Sequence, residues 1–493
     1  MNQLNTHIEK YWGYLALLAW IGIAVGLQLV RQSPFAIDEE AARGLLLTWT
    51  VADNVVNPIV MFGLPDFRAL LYLPVGTYWS GNLLAIKILS LIIAFIAVTM
   101  LYKWCRRTSE HETAIIASAL ILISPIMISQ VDSLSAGPFI LLGFTLGVWL
   151  DNAYRNNEKY FGGWYFTQML WVAILTTLHP IALAYPLAIA WRWLRQPHEF
   201  KKSTHIYVGL AIAVILSLLI RMGWNNVALF ENPVEVLATA LQGSIVWSAA
   251  DIKWIPGIIA GLVLTILLVA DFKNLSKDLL SQMLLVSILL GIVMPDESWA
   301  LLCMVLIIYR GTHYLIKFNQ SRNKTSLIGQ RGIVAIVFLF VSLFFMLEDK
   351  NHSLTIRHAI LAPEDELIQS LAAEATNDSA PFRAASQWPG RSMLATKRDV
   401  LPLPPEIDDP EHMLAAVQSL THIAFNPFDP EYKPLSNAIS GLGGATETLG
   451  LFKAGVILKV REHNVEMTTH QRLAQEDANK AKEQATETTD SDQ

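Results

Sequence analysis

Along the first 347 positions, apolar runs about as long as a membrane-spanning helix alternate with short polar connections. We count eleven such segments, at about 11–30, 83–101, 113–130, 136–151, 163–178, 180–195, 205–222, 255–270, 279–294, 298–315 and 332–347. The fifth and sixth are short and are divided only by His179-Pro180. Arg155 and Lys159 lie before that pair and Arg192, Arg195, Lys201 and Lys202 after it. Basic clusters collect on the cytoplasmic side of a membrane, so two crossings are expected there rather than one.

With the amino terminus cytoplasmic, the inner connections hold seventeen Lys and Arg residues, from Lys10 to Arg331, and the outer ones only Arg31, Arg43, Arg68 and Lys253. That asymmetry sets the orientation. An odd number of crossings then places the carboxyl-terminal region outside. The expected location is a cell inner (plasma) membrane, multi-pass, with a periplasmic or extracellular terminal domain. Two outer loops are long, 31–82 and 223–254. With every other connection short, outer-face chemistry should lie in these loops and in the terminal domain. The first segment does not read as a cleaved signal, because it is a full span without a clean small-residue cleavage pattern.

Composition divides the chain at the same place. Charged residues make up 16% overall, but 42 of the first 347 residues and 36 of the last 146. The second proportion is that of a soluble domain. These numbers exclude a purely cytosolic enzyme and a disordered protein. The two cysteines, Cys105 and Cys303, both lie in or beside apolar segments, which excludes a disulfide-stapled secreted domain. The expected architecture is an all-α polytopic membrane bundle over 1–347, an extracytoplasmic mixed α/β domain over 348–462, and a polar, disordered tail over 463–493. Within the domain, strands are expected at 355–362, 398–403 and 421–425, and helices at 364–376 and around 410–419. Asn426-Pro427-Phe428-Asp429-Pro430 reads as a rigid turn. No internal repeat, phosphate-binding glycine loop, Cys/His metal spacing or nucleophile elbow is present in the sequence.

Candidate chemistry concentrates just beyond the first apolar segment, in Phe35-Ala36-Ile37-Asp38-Glu39-Glu40-Ala41-Ala42-Arg43. Three adjacent carboxylates repel one another, and such crowding favours a group able to take up a proton near neutral pH, the property of a general base. Asp38 and Glu39 are the candidates. The apolar, helix-compatible run that follows gives a blander alternative, in which the acids cap an interfacial helix at its positive end.

The chain continues through Gly63-Leu64-Pro65-Asp66-Phe67-Arg68 and Leu71-Tyr72-Leu73-Pro74 to Trp79-Ser80-Gly81-Asn82 and Ile86-Lys87-Ile88. This order resembles the first external loop of GT-C glycosyltransferases, in particular the branch holding protein O-mannosyltransferases and lipid A aminoarabinose transferases. The likeness covers about residues 10–200 in motif order and the whole chain in architecture. It implies transfer of a sugar from a polyprenyl-phosphate carrier to a glycan, lipid or protein acceptor at the outer face, with inversion at the anomeric carbon. Asp38 matches the catalytic acid of the motif, with Glu39 beside it. Two departures stand out: the Lys-Pro-Pro-Leu stretch of the aminoarabinose branch is replaced by Arg68-Ala69-Leu70-Leu71, and the arginine near the acids is displaced to Arg43.

The residue types suit that chemistry on their own. A lipid phosphate is already a good leaving group, so the protein needs one carboxylate for the acceptor hydroxyl and cations for the departing phosphate. Arg43, Arg68 and Lys87 are the cations nearest the acids in sequence. Lys87 sits about a turn inside an apolar helix, where charge is costly and often functional, or else snorkels to the headgroups. Asp132, in the short outer turn Gln130-Val131-Asp132-Ser133, is either a second acid near the donor or the N-cap of the next helix. His179 occupies another outer turn, where relatives often carry a basic residue before the lipid phosphate; a neutral turn histidine is the alternative. Trp224, Trp247 and Trp254 in the second long loop would stack on substrate or anchor the membrane interface, and Pro295-Asp296-Glu297-Ser298-Trp299 is a further acidic outer turn. No cofactor is expected, although a divalent cation on Asp38, Glu39 and Asp132 is conceivable; such ions need more oxygen ligands than can be placed. Besides donor and acceptor the expected partners are membrane lipids, and no nucleic acid. The competing functions are a flippase for a lipid-linked saccharide, for which the paired repeats are missing, and a non-catalytic scaffold of the same fold in envelope glycan assembly.

Overall fold

The structure is a computed structural model. It describes residues 2–31, 37–39, 41–46, 67–79, 82–156, 161–195, 266, 270, 278–293, 297–322, 334–347, 363–377, 382–403, 417, 420–429, 432–441 and 446–460. Two compact units divide the chain, Met1–Ile360 and Leu361–Gln493.

The first unit is helical. Its described helices are α1 (Asn2–Arg31), α2 (Phe67–Tyr78), α3 (Leu83–Thr108), α4 (His111–Leu122), α5 (Pro125–Asp132), α6 (Gly137–Asn156), α7 (Phe161–Leu178), α8 (Ala184–Arg195), α9 (Leu279–Val293), α10 (Glu297–Arg322) and α11 (Val334–Leu347). Among the described residues, α3 and Ser298–Phe318 of α10 are long and apolar enough to cross a membrane, and the bent pair α4 and α5 reaches that length only when taken together, as a broken span or a re-entrant loop. The eleven expected crossings therefore appear as helices at nine of the expected places, with fewer long spans. The segment 205–222, nearly all of 255–270, and the loop 223–254 lie outside the described residues, as do the expected strand 355–362 and the tail 463–493.

Local sequence explains the breaks that shape the unit. Asn82 caps α3 by accepting from the Ala85 N–H at 3.2 Å, and Arg106 and Arg107 in its last turn face the negative helix end. The third expected segment is broken by Ser124-Pro125: Ser124 Oγ accepts from the Met127 N–H, and Pro125 takes a first-turn position where its missing N–H costs nothing. The result is a 49° bend that carries α5 to Asp132. The fifth and sixth expected segments part at His179, as the sequence suggests, with a short 3-10 turn at Pro180–Leu183 before α8. In α6, Gly143 admits the Leu175 side chain of α7, where a Cβ would collide with it.

The second unit is mixed α/β. Helix α12 (Pro363–Asn377) precedes β1 (Ala384–Ser386), α13 (Pro389–Thr396), β2 (Val400–Pro402), β3 (His422–Phe425), α14 (Lys433–Gly441), β4 (Thr446–Phe452) and β5 (Gly455–Val460). The sheet order is β2-β1-β3-β5-β4. Strand β1 runs parallel to both β2 and β3, while β5 is antiparallel to β3 and β4. Interior strands are buried on both faces, which is why β3 and β5 carry nearly continuous apolar runs. Ile423, Phe425, Leu435, Val456 and Leu458 form the centre of the core. Arg391, on α13, fastens the first turn of α12 by donating to Glu364 Oε2 and Asp365 Oδ1, both at 2.7 Å. Burial opposes the Arg391 charge, but these two carboxylates outweigh it and raise its pKa above the ordinary value. The hairpin β4–β5 and α14 lie in a stretch, 431–462, for which the sequence predicts no element.

Candidate functional site

The acidic loop, the second helix, the third helix and the end of α5 converge. Asp38 stands at the entry to a short helical stretch, 41–46, where its carbonyl accepts from the Ala42 N–H at 2.9 Å. It begins that stretch with its main chain, yet its carboxylate is used elsewhere. Oδ2 accepts from Arg68 Nη1 at 2.8 Å, across thirty positions of sequence. The Asp38 side chain remains 33% exposed while that of Arg68 is 2% exposed, so a buried cation holds a carboxylate that still reaches open space.

The turn after α5 anchors both partners. Asp38 N–H donates to the Ser133 carbonyl at 2.7 Å, and Arg68 Nη1 also donates to the Leu134 carbonyl at 2.8 Å. Leu134 has φ of 59°, the left-handed region that a leucine seldom adopts. That geometry presents two successive carbonyls to the acidic loop and the arginine, and the strain is held by bonds from Leu134 N–H to the Val131 carbonyl and from Ser135 N–H to the Gln130 carbonyl.

Lys87 and Asp132 form a second pair, Nζ to Oδ1 at 2.6 Å, with side chains 6% and 5% exposed. Snorkelling is excluded by that burial, and the capping alternative for Asp132 does not hold: Asp132 ends α5 instead of starting α6, and its carboxylate faces the ammonium. Asp132 Oδ1 also accepts from Gln28 Nε2 at 3.4 Å. Gln28 is buried, and its Oε1 has no hydrogen-bond partner. The sequence reading missed Gln28; the available signal was a polar amide between Leu27 and Leu29 near the end of an apolar helix, where polar groups are costly.

The remaining candidates fall elsewhere. Glu39 and Arg43 pair with each other one helical turn apart at 3.4 Å, in a partly exposed position. His179 caps the 3-10 turn: its Nδ1 accepts from the Ile181 N–H at 3.2 Å, so the bond to that nitrogen is the one expected of an unprotonated acceptor. Ser298, at the start of α10, brings its Oγ to 3.5 Å from Ser135 Oγ, so the acidic turn at 295–299 ends beside the same anchor. Among the described residues no group of three His, Cys, Asp or Glu residues could hold a metal ion. Asp38 and Asp132 each face a cationic side chain instead, so a divalent ion shared by Asp38, Glu39 and Asp132 does not fit this arrangement.

Comparison with known proteins places this geometry in a fold. No protein-family model matches the chain, and no curated protein matches it in sequence. Solved structures do. An archaeal oligosaccharyltransferase, AglB from Archaeoglobus fulgidus, solved in complex with an inhibitory peptide and a dolichol-phosphate, aligns with a TM-score of 0.57 at 9% identity, over 94% of this chain and 75% of its own. ArnT from Cupriavidus metallidurans, bound to undecaprenyl phosphate, aligns with a TM-score of 0.52 at 8% identity, over 90% of this chain and 97% of its own. At such identities the likeness concerns the fold, and it extends over nearly the whole length: this chain shares the largely helical fold of AglB and ArnT.

Proposed function

We propose that the chain is an integral membrane glycosyltransferase that moves a sugar from a polyprenyl-phosphate carrier to an acceptor at the outer face of the membrane, with inversion. The observation that carries this reading is the Asp38–Arg68 pair, a carboxylate reaching open space beside a buried cation, on a fold of which AglB has been solved with a dolichol-phosphate and ArnT with undecaprenyl phosphate. The acceptor hydroxyl oxygen attacks the anomeric carbon as its proton passes to Asp38. The bond from that carbon to the phosphate oxygen breaks on the opposite face, and its electron pair leaves with the lipid phosphate. Arg68, held by Asp38 and the Leu134 carbonyl, contributes fixed positive charge to the field that meets the departing phosphate, and Lys87 with Asp132 supplies a fixed dipole behind it. Glu39 and Arg43 shape the loop next to the base. In this reading 348–462 is an outer domain that meets the acceptor.

The test is transfer from an added polyprenyl-phosphate sugar by purified, membrane-reconstituted protein. Asp38→Asn should abolish transfer with the chain still folded, and Glu39→Gln should reduce it. Undiminished transfer by both variants overturns the assignment of these roles. Movement of lipid-linked saccharide across the bilayer without transfer would replace the enzyme by a flippase.

A further inference from the structure

One end of the sheet in the second unit carries apolar groups that the domain's own core does not use. Among the described residues of this unit, three large apolar side chains are exposed, and the two most exposed are Phe428 at 89% and Leu451 at 78%. Strand register puts both at the same end. Phe425, the last residue of β3, is opposite Val456 of β5, and Val456 is in turn opposite Leu451 of β4. Phe428 lies three positions beyond Phe425, in the turn that leaves β3. Strand β1 ends at the same level, since Ser386 pairs with Ala424, and half-buried Trp388 follows it.

The turn bearing Phe428 is built to be stiff. Gln387 Oε1 accepts from the Asn426 N–H at 2.9 Å, and Gln387 Nε2 donates to Asp429 Oδ2 at 3.1 Å. Asn426 Oδ1 accepts from the Phe428 N–H at 3.0 Å. An aromatic ring held out by a fixed turn loses little freedom when it is buried. Exposed Lys433 and Lys453 flank it, one after each of the two apolar tips, although the stretch 361–460 as a whole is acidic, with seven Lys and Arg against thirteen Asp and Glu.

What can cover these tips follows from where the domain is tied. Helix α11 ends at Leu347 and exposes Ile336, Phe340 and Leu343, as a lipid-facing helix does. Only fifteen positions separate Leu347 from Pro363, which opens α12. A chain of that length spans at most about 50 Å, so a bilayer surface always lies within reach of the domain. Aromatic and aliphatic tips flanked by lysines are the chemistry that settles at the boundary between headgroups and acyl chains.

We infer that this end of the sheet, with Phe428 and Leu451 leading, docks on the lipid surface of the membrane that the first unit spans. The full-length chain in nanodiscs of phosphatidylcholine and phosphatidylglycerol tests it. An environment-sensitive fluorophore is attached at F428C or L451C; Cys105 and Cys303 are buried, and unsubstituted protein shows their background labelling. E447C, at the far end of β4, is the reference. The labels at 428 and 451 should be blue-shifted, and quenched by nitroxide-bearing lipids several-fold more strongly than the label at 447. Water-like emission at all three positions overturns the inference. Blue-shifted emission without lipid quenching overturns it too, since a protein surface then covers the tips. F428S combined with L451S should leave glycan transfer chemistry and folding intact and raise protease cleavage between 348 and 362.

Discussion

The Lys87–Asp132 pair gives the sharpest quantitative prediction. Both side chains are nearly out of contact with solvent, and their charged atoms are 2.6 Å apart. Lys87→Met leaves the Asp132 carboxylate buried with Gln28 as a distant donor at 3.4 Å, and breaking a buried pair in this way costs about 3–5 kcal/mol. Asp132→Leu removes the carboxylate bonded to the buried ammonium and should cost about the same. Removing both charges together leaves no stranded ion. The double variant then loses chiefly the Gln28 bond, about 1 kcal/mol. The two sites should therefore couple by at least about 3 kcal/mol, the upper end for groups in direct contact. Unfolding of the purified chain in mixed micelles, followed by tryptophan fluorescence, measures all four corners of the cycle. Transfer should be lost in every variant, including the stable double variant. Single losses that simply add in the double variant refute the coupling argument, and recovery of transfer in it refutes the electrostatic role of the pair.

Other outcomes follow from the same geometry. Arg68→Met removes the Nη1 group that serves both Asp38 and the Leu134 carbonyl, so transfer should fall by at least about tenfold with the fold retained; unchanged turnover would show that the pair is dispensable. Arg391→Met removes the guanidinium bonded to Asp365, which is fully buried, and should destabilise the second unit by about 3 kcal/mol; limited proteolysis of the variant chain reads this, and a native cleavage pattern counts against it. Gly455→Ala places a Cβ on the Phe425 carbonyl oxygen at a φ of 157°, and should cost about 1–3 kcal/mol by the same assay.

Periodicity and charge were enough to find most helices of the first unit and the break at His179, because apolar spans and proline are read locally. Ser124-Pro125 shows where that fails. The segment 113–130 is apolar without interruption in hydropathy, yet a capping serine and a first-turn proline bend it, and the bend determines where Asp132 goes. Asp38, Arg68, Lys87 and Asp132 were legible as candidates, Lys87 from the cost of charge inside an apolar helix and the others from their places in the outer loop and turn. Their partners were not: Asp38 with Arg68 and Lys87 with Asp132 are separated by 30 and 45 positions, and such pairings are fixed by packing of helices rather than by neighbours in sequence. Gln28 escaped notice because a single amide in an apolar helix carries no pattern. In the second unit, β1 is three residues long and β4 has a register shift at Thr448–Gly450, so neither shows the alternation by which strands are recognised.

The two acceptors that fix the acidic loop and its arginine are main-chain carbonyls, those of Ser133 and Leu134. Every residue type carries such a group, so replacing either side chain leaves the acceptors in place. A change in length does not. One residue inserted between Asp132 and Ser133 should move both carbonyls away from the N–H groups that meet them, although every ionisable group is still present. At this turn the site is written in spacing, and a sequence can drift widely in composition there while tolerating no insertion.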